Sequence, residues 1–164
     1  MAEITAGELW ARRDALELAG ATLLGKLLFE FARVDVNLGL CLVWMEAGAR
    51  LEVLTKQVSE WGFSKRLDCL KVAVERTFPE GHAGRAAYDE WIARAQAMRQ
   101  TRNELVHGRW SVDPTEAKVV NVIGLPTSPD QREVGYRLEE LEGICQEMRD
   151  LQSDLSELRK DWPI

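Results

Sequence analysis

The sequence predicts an all-α protein, a bundle of four or five helices with a small β-hairpin or loop insertion before the last helix. Three observations carry this. Apolar residues recur at intervals of three and four along most of the 164 residues. Helix start and stop signals punctuate that pattern. The period changes only over 111–137, where KVVNVI and REVGYRL flank GLPTSPDQ with its Gly and two Pro.

The first helix is expected to start near residue 6, because Thr5 followed by Glu8 matches the S/T-x-x-E capping box. Its apolar series runs through Leu9, Leu16, Leu23, Leu27, Phe31, Val34, Leu38, Leu42 and Met45 to Gly48, with Gly20 and Gly25 as points where it can break in two. A second helix spans Leu51 to Glu60, and Ser64 looks like the N-cap of a third that stops at Phe78 before Pro79. PEGHAG reads as a loop. A fourth helix, Gly84 to His107, sets Tyr88, Trp91, Ala95, Met98, Arg102 and Leu105 on one stripe. The last, Leu138 to Lys160, repeats Leu141, Met148, Leu155 and Trp162 at intervals of seven, with Ile144, Leu151 and Leu158 between them. That seam suits packing inside one chain as well as a coiled coil between chains.

The length is that of one domain, 1–164, large enough to bury a core without disulfides or metal. With 46% hydrophobic and 29% charged residues and a mean hydropathy of −0.24, neither a disordered tail nor a membrane protein is expected. The longest uncharged stretch within the helical pattern, Val36 to Met45, is about half of the roughly 20 residues a spanning helix needs. MAEITAGELW has no basic or apolar leader pattern, so a cytoplasmic location is expected. Cys41, Cys69 and Cys145 form no CxxC pair and lie in apolar helical settings, which predicts buried packing residues. Two His and no Cys cluster argue against zinc, and no cofactor is expected. A net charge of −6 excludes a protein that coats nucleic acid with its whole surface. The last helix, with seven acidic residues against three basic ones, holds much of that charge.

One segment breaks the pattern of its own helix. In RNELVHG, Arg102 sits on an apolar stripe, where it must find a partner, snorkel out or face a site. Beside it Gln96, Gln100, Asn103 and His107 form a polar, uncharged strip, with Asn103 one turn from His107 and placed to orient its ring. From Gly84 to Arg109 there are five Arg against three acids, a basic region in an acidic protein. A histidine exchanges protons near neutral pH and a guanidinium binds phosphate bidentately, the two halves of a ribonuclease. Metal-free cleavage benefits from a base and an acid, and a two-fold dimer would supply the second His107.

Arg102, Asn103 and His107, followed by Gly108 and Trp110, resemble the R-x4-6-H motif of the HEPN superfamily. Arg76 and His82 also satisfy the bare spacing, but Pro79 and Gly81 interrupt the helix between them. The resemblance implies a HEPN-like helical bundle that dimerises, so that paired motifs form a composite, metal-independent RNA-cleaving site. Members include toxins and defence effectors, some held by an antitoxin or regulator, and others are inactive binding modules. Arg102, Asn103 and His107 are then the catalytic candidates, and Arg99, Arg109 and Trp110 the substrate-binding ones. Members modified by a nucleotidyltransferase often carry Tyr two residues after the His; Arg109 stands there, so that modification is not expected.

Plainer roles compete. Arg102 can pair with Asp35 or Glu30, and His107 can face its helix dipole as a cation. Glu104 either tunes His107 or is an ordinary surface residue. Trp44, Trp91 and Trp162 suit the core, which leaves Trp110 as a wall for a base. The alternative function is an inactive helical module that binds a protein partner through its acidic last helix.

Overall fold

The computed structural model describes residues 5–164. Its elements are α1 (Ala6–Val43), a one-turn helix (Met45–Gly48), α2 (Leu51–Glu60), α3 (Phe63–Thr77), α4 (Ala83–His107), β1 (Arg109–Asp113), β2 (Lys118–Ile123), β3 (Arg132–Tyr136) and α5 (Leu138–Asp161). The chain is mostly helical, as expected, but not purely all-α: the insertion is an antiparallel sheet in the order β1-β2-β3, one strand more than a hairpin. The extra strand is RWSVD, which starts at Arg109 and not after Trp110. Its turn is set by Asp113, whose Oδ1 accepts the backbone N–H groups of Thr115 and Glu116.

The described residues divide into two compact units. A sheet unit contains the chain up to Phe29 and Thr101–Glu147; a helical unit contains Glu30–Gln100 and Met148–Ile164. Helices α1, α4 and α5 each contribute residues to both.

In the sheet unit the capping box forms as expected. Thr5 N–H donates to Glu8 Oε2 at 2.8 Å, and Glu8 N–H donates back to Thr5 Oγ1 at 3.3 Å. Gly20 and Gly25 do not break α1, which is continuous over 38 residues. Gly20 is buried because β2 needs the space: a Cβ there would lie 2.8 Å from Val119 Cγ1. Val119, Leu16, Leu23, Leu27, Leu105, Leu141 and Cys145 are the buried apolar residues of this unit.

The helical unit is cored by Leu38, Leu42, Leu70, Val74, Tyr88, Trp91, Leu151 and Leu155, each contributing about 1.5–3 kcal/mol by its removal from water. The two large aromatics lose no polar partner, since Trp91 Nε1 donates to Leu151 O at 2.8 Å and Tyr88 Oη donates to Trp162 O at 3.0 Å. The α5 stripe turns inward, with Leu141, Met148, Leu151 and Leu155 buried and Ile144, Leu158 and Trp162 half-buried; Cys145 is buried beside it. Charged groups are paired too. Arg66 donates to Asp35 Oδ1 at 2.7 Å and to Val58 O at 3.0 Å, joining α1, α2 and α3. Glu30, 7% exposed, accepts from Arg33, Arg149 and Gln152.

Several details depart from the expected pattern. Helix α1 ends at Val43, not Gly48, because Glu46, Ala47 and Gly48 adopt positive φ. Helix α3 starts at Phe63 with Gly62 as its N-cap, so Ser64 lies inside the helix. Trp44 is 50% exposed and not core. Cys41 and Cys145 are buried but Cys69 is only half-buried; burial pushes the Cys41 thiol up to about 11. Among the described residues no helix is long and apolar enough to cross a membrane.

Candidate functional site

Helix α4 carries RNELVHG to its end without a break, and His107 is its last residue. The apolar stripe keeps Leu105 buried, while the next two positions, Val106 and His107, turn to solvent. Arg102 is half-buried, and its Nη1 donates to Asn103 Oδ1 at 3.0 Å. The carboxamide oxygen of Asn103 is therefore engaged by the arginine, and no hydrogen bond links Asn103 to His107 among the described residues. A guanidinium presents its N–H groups in a fixed planar fork, a geometry that suits a phosphate.

Within the helical unit Asp35 is paired with Arg66, and Glu30 with Arg33 and Arg149. Glu104 does not reach toward His107 as an isolated acid, because its Oε1 accepts from Arg132 Nη2 at 2.7 Å, tying the last turn of α4 to β3.

The end of the helix is pinned from β2. Glu104 O accepts the Gly108 N–H at 3.2 Å and Asn121 Nδ2 at 3.0 Å, so a side chain from the sheet supplies a C-cap one turn before His107. Asn121 is fully buried, and its Oδ1, which has no hydrogen-bond partner, fills the space where a Cβ on Gly108 would stand, 1.5 Å from that position. Gly108 thus stops the helix and also admits the amide that holds it. Neither Asn121 nor Arg132 carries any mark in the sequence, since each meets α4 only through the folding of the sheet.

The substrate-binding candidates separate. Arg109 and Trp110 are neighbours in β1 and project to opposite faces; Arg109 is exposed, while Trp110 pairs across the strands with Asn121. Trp110 donates its Nε1–H to Leu105 O at 2.9 Å, and its ring lies 5.9 Å from that of Tyr136. Its exposed side lines a groove of about 480 Å³ with Arg13, Glu17, Gly20 and Leu24 of α1 and Val112 of β1. Arg99 belongs to the helical unit, where its Nε donates to Gln96 Oε1 at 3.3 Å.

The second histidine has a structural task. His82 Nδ1 accepts from Gly84 N–H at 3.0 Å at the start of α4, and its ring stacks on Phe78 at 4.8 Å. Arg76, its partner in the decoy spacing, is paired with Glu46. Among the described residues no three His, Cys, Asp or Glu side chains gather into a metal-ligating group.

Comparison of the chain with known protein families, with characterised proteins and with solved structures finds no match. The family resemblance rests on RNELVHG and its helical setting alone.

Proposed function

We propose that this protein is a metal-independent endoribonuclease of HEPN type, with a composite site completed by a second copy of the chain. One observation carries the reading: on one uninterrupted helix, Arg102 is held by Asn103 while His107 stands in solvent at the last position. In this scheme the guanidinium of Arg102 binds the scissile phosphate and stabilises the charge that builds on its oxygens. His107 takes the proton from the ribose 2′-hydroxyl, whose oxygen attacks phosphorus. The 5′-oxygen of the next nucleotide leaves and takes a proton from the partner subunit's His107. The products are a 2′,3′-cyclic phosphate and a 5′-hydroxyl, with no net consumption of water in this step. Asn103 is a positioning residue that acts through Arg102. Toxin or defence roles, and any antitoxin, follow only if cleavage does.

The test is incubation of the purified protein with total RNA and a tRNA pool in EDTA. Wild type is expected to yield fragments ending in 2′,3′-cyclic phosphate, and Arg102→Ala and His107→Ala to lower the rate by about a hundredfold or more while staying folded and dimeric. Intact RNA after incubation with folded wild-type dimer overturns the reading in favour of an inactive module, and a stable protein partner in a pulldown would then support docking through acidic α5.

A further inference from the structure

The groove beside Trp110 is not accounted for by phosphate binding or proton transfer. Its walls come from three elements of the sheet unit, α1, β1 and β2. Leu24, Val112 and Val119 make it apolar, and Val119 packs closely over Gly20. The indole N–H of Trp110 is spent on Leu105 O, so what the ring offers a ligand is its face. At about 480 Å³ the groove falls within the size range of small-ligand sites. That volume is enough for a planar heterocycle and its sugar.

Two charged side chains decide which heterocycle. Arg13 and Glu17 stand one helical turn apart on α1, 45% and 64% exposed, with a closest approach of 3.9 Å. They form an i,i+4 ion pair too long for a hydrogen bond and well exposed to solvent, so a ligand can exchange for it on both sides. Arg13 also lies over the Trp10 ring at 5.1 Å, a contact through the guanidinium face. A carboxylate only accepts hydrogen bonds, and its two oxygens suit a pair of adjacent donors. Among the four RNA bases, guanine alone presents such a pair on its Watson–Crick edge, N1–H beside the N2 amino group. Adenine and cytosine set a ring-nitrogen acceptor beside their amino group, and uracil flanks its single N–H with two carbonyls; each turns a lone pair toward the carboxylate.

We infer that this groove is a guanine-binding subsite: the base stacks on Trp110, Glu17 accepts N1–H and N2–H, and Arg13 takes a phosphate of the same nucleotide. As a statement about substrate it rests on the ribonuclease reading, and it adds to that reading a preference for RNA with a guanine beside the cut. Trp110 follows His107 by three positions along the chain and belongs to the same unit.

The experiment is calorimetric titration of the full-length protein with 3′-GMP, 3′-AMP, 3′-CMP and 3′-UMP, which needs no turnover. Wild type is expected to bind 3′-GMP about tenfold or more tighter than the other three, the discrimination a good bidentate contact supplies. Glu17→Gln, which replaces one acceptor by a donor at an exposed position, is expected to abolish the preference with an unchanged circular dichroism spectrum. Arg13→Ala should weaken all four nucleotides and leave their ranking intact. Equal binding of the four, no binding at millimolar concentration, or a preference that survives Glu17→Gln each overturns the subsite. Guanine selectivity without RNA cleavage would retain the subsite and remove the nuclease reading. Cleavage without selectivity in this titration would do the reverse.

Discussion

At Gly108 a single missing side chain sets the distance between helix and sheet. Asn121 Oδ1 occupies the volume that any β-carbon would need, and the other end of the same amide caps Glu104 O. Gly108→Ala must expel that amide, lose the cap and leave a buried carbonyl, so it is expected to lower stability by about 1–3 kcal/mol or more in urea unfolding. Asn121→Ala in the same chain removes the obstruction. The double variant should therefore lose less than the two single losses added together, and simple additivity would show that the two positions do not meet. The sequence marks Gly108 as a helix stop, and it is one. Its second task is invisible there because Asn121 follows 13 residues later in a strand whose pairing no local pattern specifies. Arg102 and His107 were legible as residues out of character with their helix, whereas the Arg132 partner of Glu104 was not.

At the scale of the element, α1 carries two interior glycines that look alike in the sequence and differ in the fold. A Cβ on Gly20 meets Val119, while one on Gly25 meets nothing within 4 Å. Gly25→Ala is expected to stabilise the protein by about 0.5–1 kcal/mol by reducing the freedom of the unfolded chain. Gly20→Ala gains the same term and is expected to lose more, about 1–3 kcal/mol, by pushing β2 off the helix. Thermal melts of both variants check the contrast; equal shifts would mean that Val119 does not press on α1. Helix propensity alone places a weak point at both glycines. The helix continues because packing around Gly20 outweighs a local cost of about 1 kcal/mol per glycine. Strand β1 is not legible for a related reason: five residues with an inward face of only the half-buried Trp110 and Val112 give too short an alternation, while the longer KVVNVI suffices.

At the scale of the whole molecule, acid sensitivity is the property the charge pattern predicts. Burial alone would raise the Glu30 carboxyl, but hydrogen bonds from Arg149, Arg33 and Gln152 outweigh it and hold the group below its ordinary value of 4.5. A carboxyl depressed in the folded state stabilises the fold at pH values above its unfolded value and loses that contribution as pH falls through the folded one. Stability should therefore decline on acidification from about pH 5 downward. Glu30→Gln is expected to cost about 1.5–3 kcal/mol at pH 7, the scale of hydrogen bonds to charged partners, with the gap to wild type narrowing as pH drops toward 3. A gap that stayed constant or widened on acidification would assign the cost to packing. Glu8 and Asp113 are shifted downward too, through hydrogen bonds from the Thr5 backbone and the Thr115 side chain respectively, and they act with the same sign from exposed positions.

What this sequence determined by itself is what lies within a turn or two of the chain: the helical periods, the Thr5–Glu8 capping box, the inward stripe of α5 and the placing of Arg102 and His107 on one unbroken helix. These depend on spacing, which the sequence states directly. Only the tertiary structure decided that β1 joins the sheet, that Asn121 caps α4, that Arg109 and Trp110 face apart, and that Arg13 and Glu17 line one groove with Trp110. Those outcomes depend on which distant segments approach one another. Polar groups pair with whatever that approach brings within hydrogen-bond reach, a distance that periodicity does not encode.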